Sequence, residues 1–321
     1  YSNTTASNNT AVGSNALLAN TTASNNVAIG CGALCANTTG EVNTAVGTAS
    51  MVTNTTGFGN TALGKNSLYT NNGNNNTAVG HEALELNTSG ASNVAVGRQA
   101  LEKNTTGQQN TAVGVNTMQC NTTGQYNSAF GFQAMNRITD SEGNTGIGYQ
   151  SLYTNTTGDA NTAVGRDALV SNTTASNNTA VGKDSLKANT TGAVNTAIGS
   201  QALFSNTTGC CNVAIGGDTM YTNSTGCYNV AIGKNTLEAN STANNNTAVG
   251  FSAMAANTTG YINVAVGRDA MKANTTGQGN VGIGGYALDA NTTGSRNIAI
   301  GCSALSANTT CSDNIGIGFC A

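Results

Sequence analysis

The stretch NTTGDANTAVGRDALVS, Asn155 to Ser171, returns at once as NTTASNNTAVGKDSLKA, Asn172 to Ala188. A chain that repeats itself every seventeen residues must place equivalent residues in equivalent surroundings, and this limits its fold more than any other feature. Counting from Thr4 as position one, the 321 residues hold eighteen copies and a partial nineteenth that begins at Thr309. The consensus is T-T-G-x-x-N-T-A-V-G-x-x-A-L-x-x-N, and only the copy after Asn71 is one residue short. Position six is Asn in every copy, from Asn9 to Asn314, and position ten is Gly in every copy, from Gly13 to Gly318. Position fourteen is Leu or Met wherever it is reached, and it takes all six methionines.

A seventeen-residue period is too short for a pair of helices and matches one coil of a β-solenoid. Asn, Thr and Gly are poor helix residues, whereas T-A-V-G and V-A-I-G read as a short strand closed by a turn glycine. The expected fold is therefore all-β, a parallel β-solenoid (β-roll) of about nineteen rungs running as one continuous repeat domain over residues 1–321. Stacked coils lie about 4.8 Å apart, so the rungs would make a rod of roughly 90 Å. The chain has no proline, as expected where each inner strand gives its amide hydrogens to a neighbour.

Columns of identical residues follow from this stacking. Asparagines at positions six and seventeen are expected to form amide ladders, and the representative columns are Asn161 over Asn178, Gly165 over Gly182, and Leu169 over Leu186. Side chains alternate along a strand, so positions seven and nine share one face and position eight takes the other. The aliphatic residue of position nine, with the Leu or Met of position fourteen, is expected to form the interior. Position eight is Ala except at Gly146, Gly282 and Gly316. Such uniform smallness fits either a thin interior or a flat strip on which partner chains meet around a three-fold axis.

The motifs NVAIG, NTAVG and NIAIG, followed by x-x-[AST]-[LM], resemble the head repeats of trimeric autotransporter adhesins and similar repeats of phage and giant-virus fibres. The resemblance spans essentially the whole chain. It implies a left-handed parallel β-roll, usually trimeric, that projects from a surface and adheres. The copies here are longer than the roughly fourteen-residue adhesin repeat, and no stalk, anchor or self-cleaving chaperone follows.

Variation gathers at positions four, five, eleven, twelve, fifteen and sixteen, read as the outer surface. Position eleven collects cations (Lys65, Arg98, Arg166, Lys183, Lys234, Arg268) and position twelve anions (Glu82, Asp167, Asp184, Asp218, Asp269); these read as a solvated face. Nine cysteines beside a single histidine point to disulfides and an oxidising compartment rather than to zinc. Cys210 and Cys227 share position four of consecutive copies, one rung apart and within disulfide reach. Cys302 and Cys320 lie close in the last two copies, and Cys31 and Cys35 flank a turn. These six are the candidate staples.

No constellation for catalysis, cofactor binding or metal binding emerges. His81 is alone, GQGNVG (Gly277 to Gly282) lacks a βαβ setting, and the acidic nonapeptides of calcium-binding β-rolls are absent. Threonine columns hint at ice binding, but neighbouring threonines point to opposite sides. The net charge of −3 leaves no basic footprint for nucleic acid, and no run of about 20 apolar residues spans a membrane. The N-terminal YSNTTASNN has no signal-peptide character. N-T-T triplets at the copy boundaries match the glycosylation pattern, yet the ladder claims the same asparagines. Tail and head complement each other, which suggests an end-to-end interface of Tyr1, Ser2, Asn3, Cys311, Phe319, Cys320 and Ala321. The expectation is a non-enzymatic structural fibre located outside the cell, whether secreted, on a cell surface or on a virion. It would self-associate, end to end or also as a trimer, held by disulfides. The alternative is a surface adhesin or viral fibre shaft that contacts cells or glycans.

Overall fold

The computed structural model describes residues 3–321; Tyr1 and Ser2 of the expected end interface lie outside the described residues. Every copy contributes one three-residue strand, from β1 (Thr10–Val12) to β19 (Ile315–Ile317), and no helix occurs among the described residues. Two compact units divide the chain, Tyr1–Ala160 and Asn161–Ala321. In the first, β1 to β9 (Thr145–Ile147) pair in chain order, each parallel to the next. In the second, β10 (Thr162–Val164) to β19 pair in the same way. Equivalent residues face each other: Thr179 opposes Thr196, Ala180 opposes Ala197, and Val181 opposes Ile198. Each unit is a parallel β-solenoid whose rungs repeat every seventeen residues.

The coil is bent by left-handed backbone. Position ten adopts φ near +130° throughout, as at Gly182 (φ 132°), a region open only to glycine. Positions five, twelve and fourteen adopt φ between about +47° and +64° with ordinary side chains, Leu186 (φ 49°) and Val194 (φ 60°) among them. Each such residue costs roughly 1–2 kcal/mol. At position fourteen, burial of Leu or Met offsets this by about 1.5–3 kcal/mol. Val194 has no such return, since it is β-branched and more than half exposed. Val194→Asn, the residue that position five carries at Asn177 and Asn245, should therefore stabilise the chain by up to about 1 kcal/mol. An unchanged or lower thermal midpoint would contradict this account of the corner.

The interior differs from the expectation in which face of the strand it uses. Alanine at position eight is wholly buried in rung after rung, as at Ala163, Ala180 and Ala197, while position nine points outward, with Ile29 40% and Val266 36% exposed. Even Phe130 is 40% exposed. The core is position eight packed on the buried Leu or Met of position fourteen and the small residue of position thirteen. A coil this narrow has no room for a second branched side chain per rung. A Cβ on Gly146 would lie 2.7 Å from Met135 Cγ, and one on Gly282 would lie 2.8 Å from Met271 Cγ. The small residues at position eight thus belong to the inside of each coil, not to a strip between chains.

The two asparagine columns close the remaining polar groups. At position seventeen, Asn104 Nδ2 donates to Asn87 Oδ1 at 2.7 Å, and Asn121 Nδ2 donates to Asn104 Oδ1 at 2.7 Å. Each amide also donates to the position-three carbonyl three residues further on, as Asn104 does to Gly107 at 3.0 Å. At position six the side chain bonds mainly to backbone: Asn195 Oδ1 accepts the Asn212 N–H at 3.0 Å, and Asn195 Nδ2 donates to the Gly209 carbonyl at 2.8 Å. Burial of so many amides is tolerated because they are paired.

Two irregular copies are absorbed locally. Ile138 replaces the boundary asparagine and is fully buried in its column, which leaves Asn121 Oδ1 without a partner among the described residues. The short copy omits one residue at the corner where position one lies. In regular copies the position-one carbonyl accepts three donors from the rung before, as Thr55 O does from Thr38 N, Thr39 N and Thr38 Oγ1. After Thr55, Asn72 Oδ1 takes all three: Thr55 N at 2.8 Å, Thr55 Oγ1 at 2.9 Å and Thr56 N at 3.4 Å. A side-chain carbonyl thus replaces a missing backbone one, and β4 (Thr61–Leu63) still pairs in register with β5 (Thr77–Val79).

Candidate functional site

The outward face of the strands carries two columns, positions seven and nine, and neither contains a charged residue. In the second unit the columns become almost wholly aliphatic, through Val213 and Ile215, Val230 and Ile232, Val264 and Val266, Val281 and Ile283, and Ile298 and Ile300. Five rungs of this kind, two before and three after the rung of Thr247, form a partly exposed apolar surface. Such surfaces mark interaction sites on soluble chains.

Position twelve is not the solvated position it was expected to be. Its side chain turns back over the coil, so that Asp184 and Asp269 are each only 6% exposed at the side chain. The neighbouring cation and the lysine of position fifteen then cover the carboxylate. Lys183 Nζ lies 3.5 Å and Lys187 Nζ 2.8 Å from Asp184, while Arg268 Nε and Lys272 Nζ each lie 3.1 Å from Asp269. Burial opposes the charge on Asp184, but the hydrogen bond and charge of Lys187, helped by Lys183, prevail and hold its carboxyl below the usual range. The aromatic residues of the outer positions stack between rungs: Phe204 on Tyr221 with centroids 4.9 Å apart, and Phe132 on Tyr149 at 5.7 Å.

Glu82, Glu85 and Glu102 form an acidic cluster whose carboxylate oxygens lie within 4.8 Å of one another, so these are the side chains that could hold a cation. His81 Nδ1 lies 3.4 Å from Glu82, and Gln99 Nε2 donates to Glu82 at 2.8 Å. Burial, and then the charges of Glu82 and Glu102, push the Glu85 carboxyl above its ordinary value. A raised folded-state pKa adds stability below the unfolded value, and that contribution is lost as pH rises through the folded one. Glu85→Gln should therefore stabilise the chain at pH 7 by up to about 1 kcal/mol, read as a higher thermal midpoint, with the gain vanishing near pH 3. A gain that persisted unchanged in acid would show the effect is not electrostatic.

The ladder residues occupy one column each. Asn178 N donates to Asn161 Oδ1 at 3.0 Å, Leu169 and Leu186 are fully buried, and a Cβ on Gly165 would sit 2.5 Å from Gly182 O. All nine cysteines are free thiols, so the expected staples are not formed in this structure. Cys210 and Cys227 are in contact, with Cys210 Sγ 3.0 Å from Cys227 Sγ. Cys302 and Cys320 are both exposed and are joined through backbone, with Cys320 N donating to Cys302 O at 3.0 Å. Cys31 is exposed, whereas Cys35 donates its thiol hydrogen to Val52 O at 3.5 Å. Of the expected end interface, Cys311, Phe319, Cys320 and Ala321 are exposed, and Asn3 closes a local turn with Ala6.

A notch of about 200 Å³ opens in the second unit where position five is Gly279. It lies between Ile262 and Arg296, with the Tyr261 ring and the Gln278 amide as its other walls. Arg296 and Asp313 form a two-pronged pair at 2.7 and 2.8 Å beside it. Among the described residues no helix is long and apolar enough to cross a membrane. Comparison with models of known protein families finds no match, and comparison with curated proteins finds none either.

Proposed function

We propose that this chain is a structural fibre protein acting outside the cell, a β-solenoid that associates with copies of itself and performs no catalysis. The observation that carries this reading is the uncharged, increasingly aliphatic face of positions seven and nine. Unlike the buried alanines it reaches the surface and recurs from rung to rung, so a second copy laid along it within either unit meets uncharged side chains at each step. The resemblance to trimeric adhesin heads favours three copies around that face. End-to-end continuation of the rungs from one copy to the next is part of the same reading. Disulfide staples form the remaining part of the reading. The decisive measurement is mass by light scattering together with electron micrographs. Oligomers or filaments are expected for the parent chain, and Ile232→Lys with Val266→Lys should reduce the lateral mass without lowering the thermal midpoint. A monomeric parent at tens of micromolar, with no filaments, would end the proposal.

The notch at Gly279 supports the adhesive alternative. An aromatic face beside Ile262 suits the C–H side of a pyranose, and Gln278 can both donate to and accept from its hydroxyls. Saturation-transfer NMR with methyl glucoside and methyl galactoside tests this. Transfer that disappears in Tyr261→Ala and Gly279→Asn supports it, and no transfer from either sugar removes it.

A further inference from the structure

Position four carries a recurring contact that the sequence did not reveal. In several rungs its backbone N–H points at the position-four side chain of the next rung and finds an acceptor there. Ser7 N donates to Ser24 Oγ at 3.1 Å, Glu142 N to Asp159 Oδ1 at 2.8 Å, and Gln278 N to Ser295 Oγ at 3.1 Å. In rungs thirteen and fourteen the same place is filled by sulfur. Cys210 N donates to Cys227 Sγ at 3.0 Å, and the Cys210 thiol also donates to Cys227 Sγ at 3.0 Å. Cys227 in turn lies 3.5 Å from Thr225 O, to which its own hydrogen points, and its N–H is taken by Asn244 Oδ1 at 2.6 Å. The backbones are clamped together, since Tyr228 N donates to Cys210 O at 3.1 Å.

From this geometry we infer that Cys210 and Cys227 form a reactive dithiol that exchanges with small-molecule disulfides, with Cys227 attacking first and Cys210 resolving. The site that holds a serine or aspartate oxygen in other rungs is built to receive a lone pair, and a thiolate at Cys227 meets two donors there. Cys210, by contrast, supplies one of those donors through its own hydrogen. The hydrogen bond to Cys227 is the main reason its thiol is pushed up to about 12, with burial, the Cys227 charge and Cys211 adding to it. While Cys227 is a thiolate, Cys210 therefore stays protonated and unreactive. Once Cys227 is part of a mixed disulfide, its charge and its accepting lone pair no longer hold that proton. Cys210 becomes competent at the moment a second attack is needed.

The steps balance. The Cys227 thiolate attacks one sulfur of oxidised glutathione, forming a mixed disulfide and expelling one glutathione thiolate. Cys210 gives up its proton and attacks the Cys227 sulfur, and the second glutathione leaves as a thiolate that takes the proton from solvent. One disulfide bond breaks and one forms across the two rungs. The two chain thiols lose two hydrogens and the small disulfide is reduced to two thiols. Neighbouring position-four residues lie one strand spacing apart, about 4.8 Å, inside the span that a disulfide bridges without backbone movement. The inference deepens the stapling part of the fibre reading but needs no second copy, so it stands or falls separately from assembly.

The test incubates the full chain with oxidised glutathione and maps every cysteine by peptide mass spectrometry over time. The expected result is a Cys210–Cys227 bond, with loss of two hydrogens, formed about tenfold faster than any other change at a thiol. Cys210→Ser should accumulate the mixed disulfide at Cys227, whereas Cys227→Ser should leave Cys210 unmodified on the same timescale. Because a serine variant could disturb the rung, sub-stoichiometric iodoacetamide on the reduced parent chain provides a second reading, with Cys227 labelled before Cys210. Labelling of Cys210 first, glutathione arriving first at Cys210, or failure of the bond to form would each overturn the inference.

Discussion

Gly182→Ala should melt the second unit at a far lower temperature than the parent chain, although it adds a single methyl group. Two costs coincide at this residue. Its φ of 132° lies where only glycine is at ease, at about 1–3 kcal/mol for any other residue. The added Cβ would sit 2.5 Å from Gly199 O and 2.6 Å from Gly199 C. Those atoms are backbone on the next rung, so no side-chain rotation relieves them, and overpacking of this kind costs a further 1–3 kcal/mol or so. The sum, about 2–6 kcal/mol, is large for one methyl. Ser200→Ala, on the neighbouring rung and exposed, serves as the control and should stay within about 0.5 kcal/mol of the parent. Denaturant melts of the two variants side by side measure the difference. Equal midpoints would mean that adjacent rungs are not as close as the structure places them.

The second large effect is expected at Asn212. Its Nδ2 donates to Asn195 Oδ1 at 3.2 Å and to Gly226 O at 2.8 Å, while its Oδ1 accepts from Asn229 N at 3.0 Å and from Asn229 Nδ2 at 3.2 Å. Asn212→Ala leaves the buried Asn229 N–H without its acceptor and takes one of two donors from the Gly226 carbonyl, which keeps Asn223 Nδ2 at 3.1 Å. An orphaned buried group costs about 1–3 kcal/mol, so a loss of about that size is expected. Asn212→Asp probes the same site with almost no change in volume. Ionised, the carboxylate has no hydrogen to give and faces two oxygens where Nδ2 had donated, while burial raises its pKa. The variant should be strongly destabilised at pH 7 and should recover part of the loss as acid returns a proton to it. A variant equally unstable at pH 7 and pH 4 would argue against this hydrogen-bond assignment.

The repeat itself made the rung count, the strand positions and the columns legible before any coordinates. Equivalent residues such as Ala163 and Ala180 oppose each other where the seventeen-residue offset places them. Alternation along T-A-V could not tell which face was inside, because it separates two sets of residues without ranking them. Hydrophobicity favoured Val164 for the core and volume favoured Ala163, and volume prevails in a coil that already holds a leucine. The aspartates of position twelve look like surface residues in sequence. Asp167, Asp184 and Asp269 are buried because a left-handed backbone, as at Asp184 (φ 57°), turns them under neighbouring cations, Lys187 over Asp184 and Lys272 over Asp269. Nothing in the sequence announced that Asn72 Oδ1 would substitute for a missing carbonyl, since side-chain rescue of this sort depends on three donors converging at one point. For the cysteines, spacing selected Cys210 and Cys227 correctly as neighbours. It could not say which sulfur receives hydrogen bonds and which supplies one.

The repair at Asn72 also bears on how such a chain can be edited. Losing a residue at that corner shifts nothing downstream, because register is held by the strands and the asparagine columns on either side. The corner therefore behaves as a splice point, and foreign segments grafted there would be displayed at fixed intervals while the parallel pairing around them continued undisturbed.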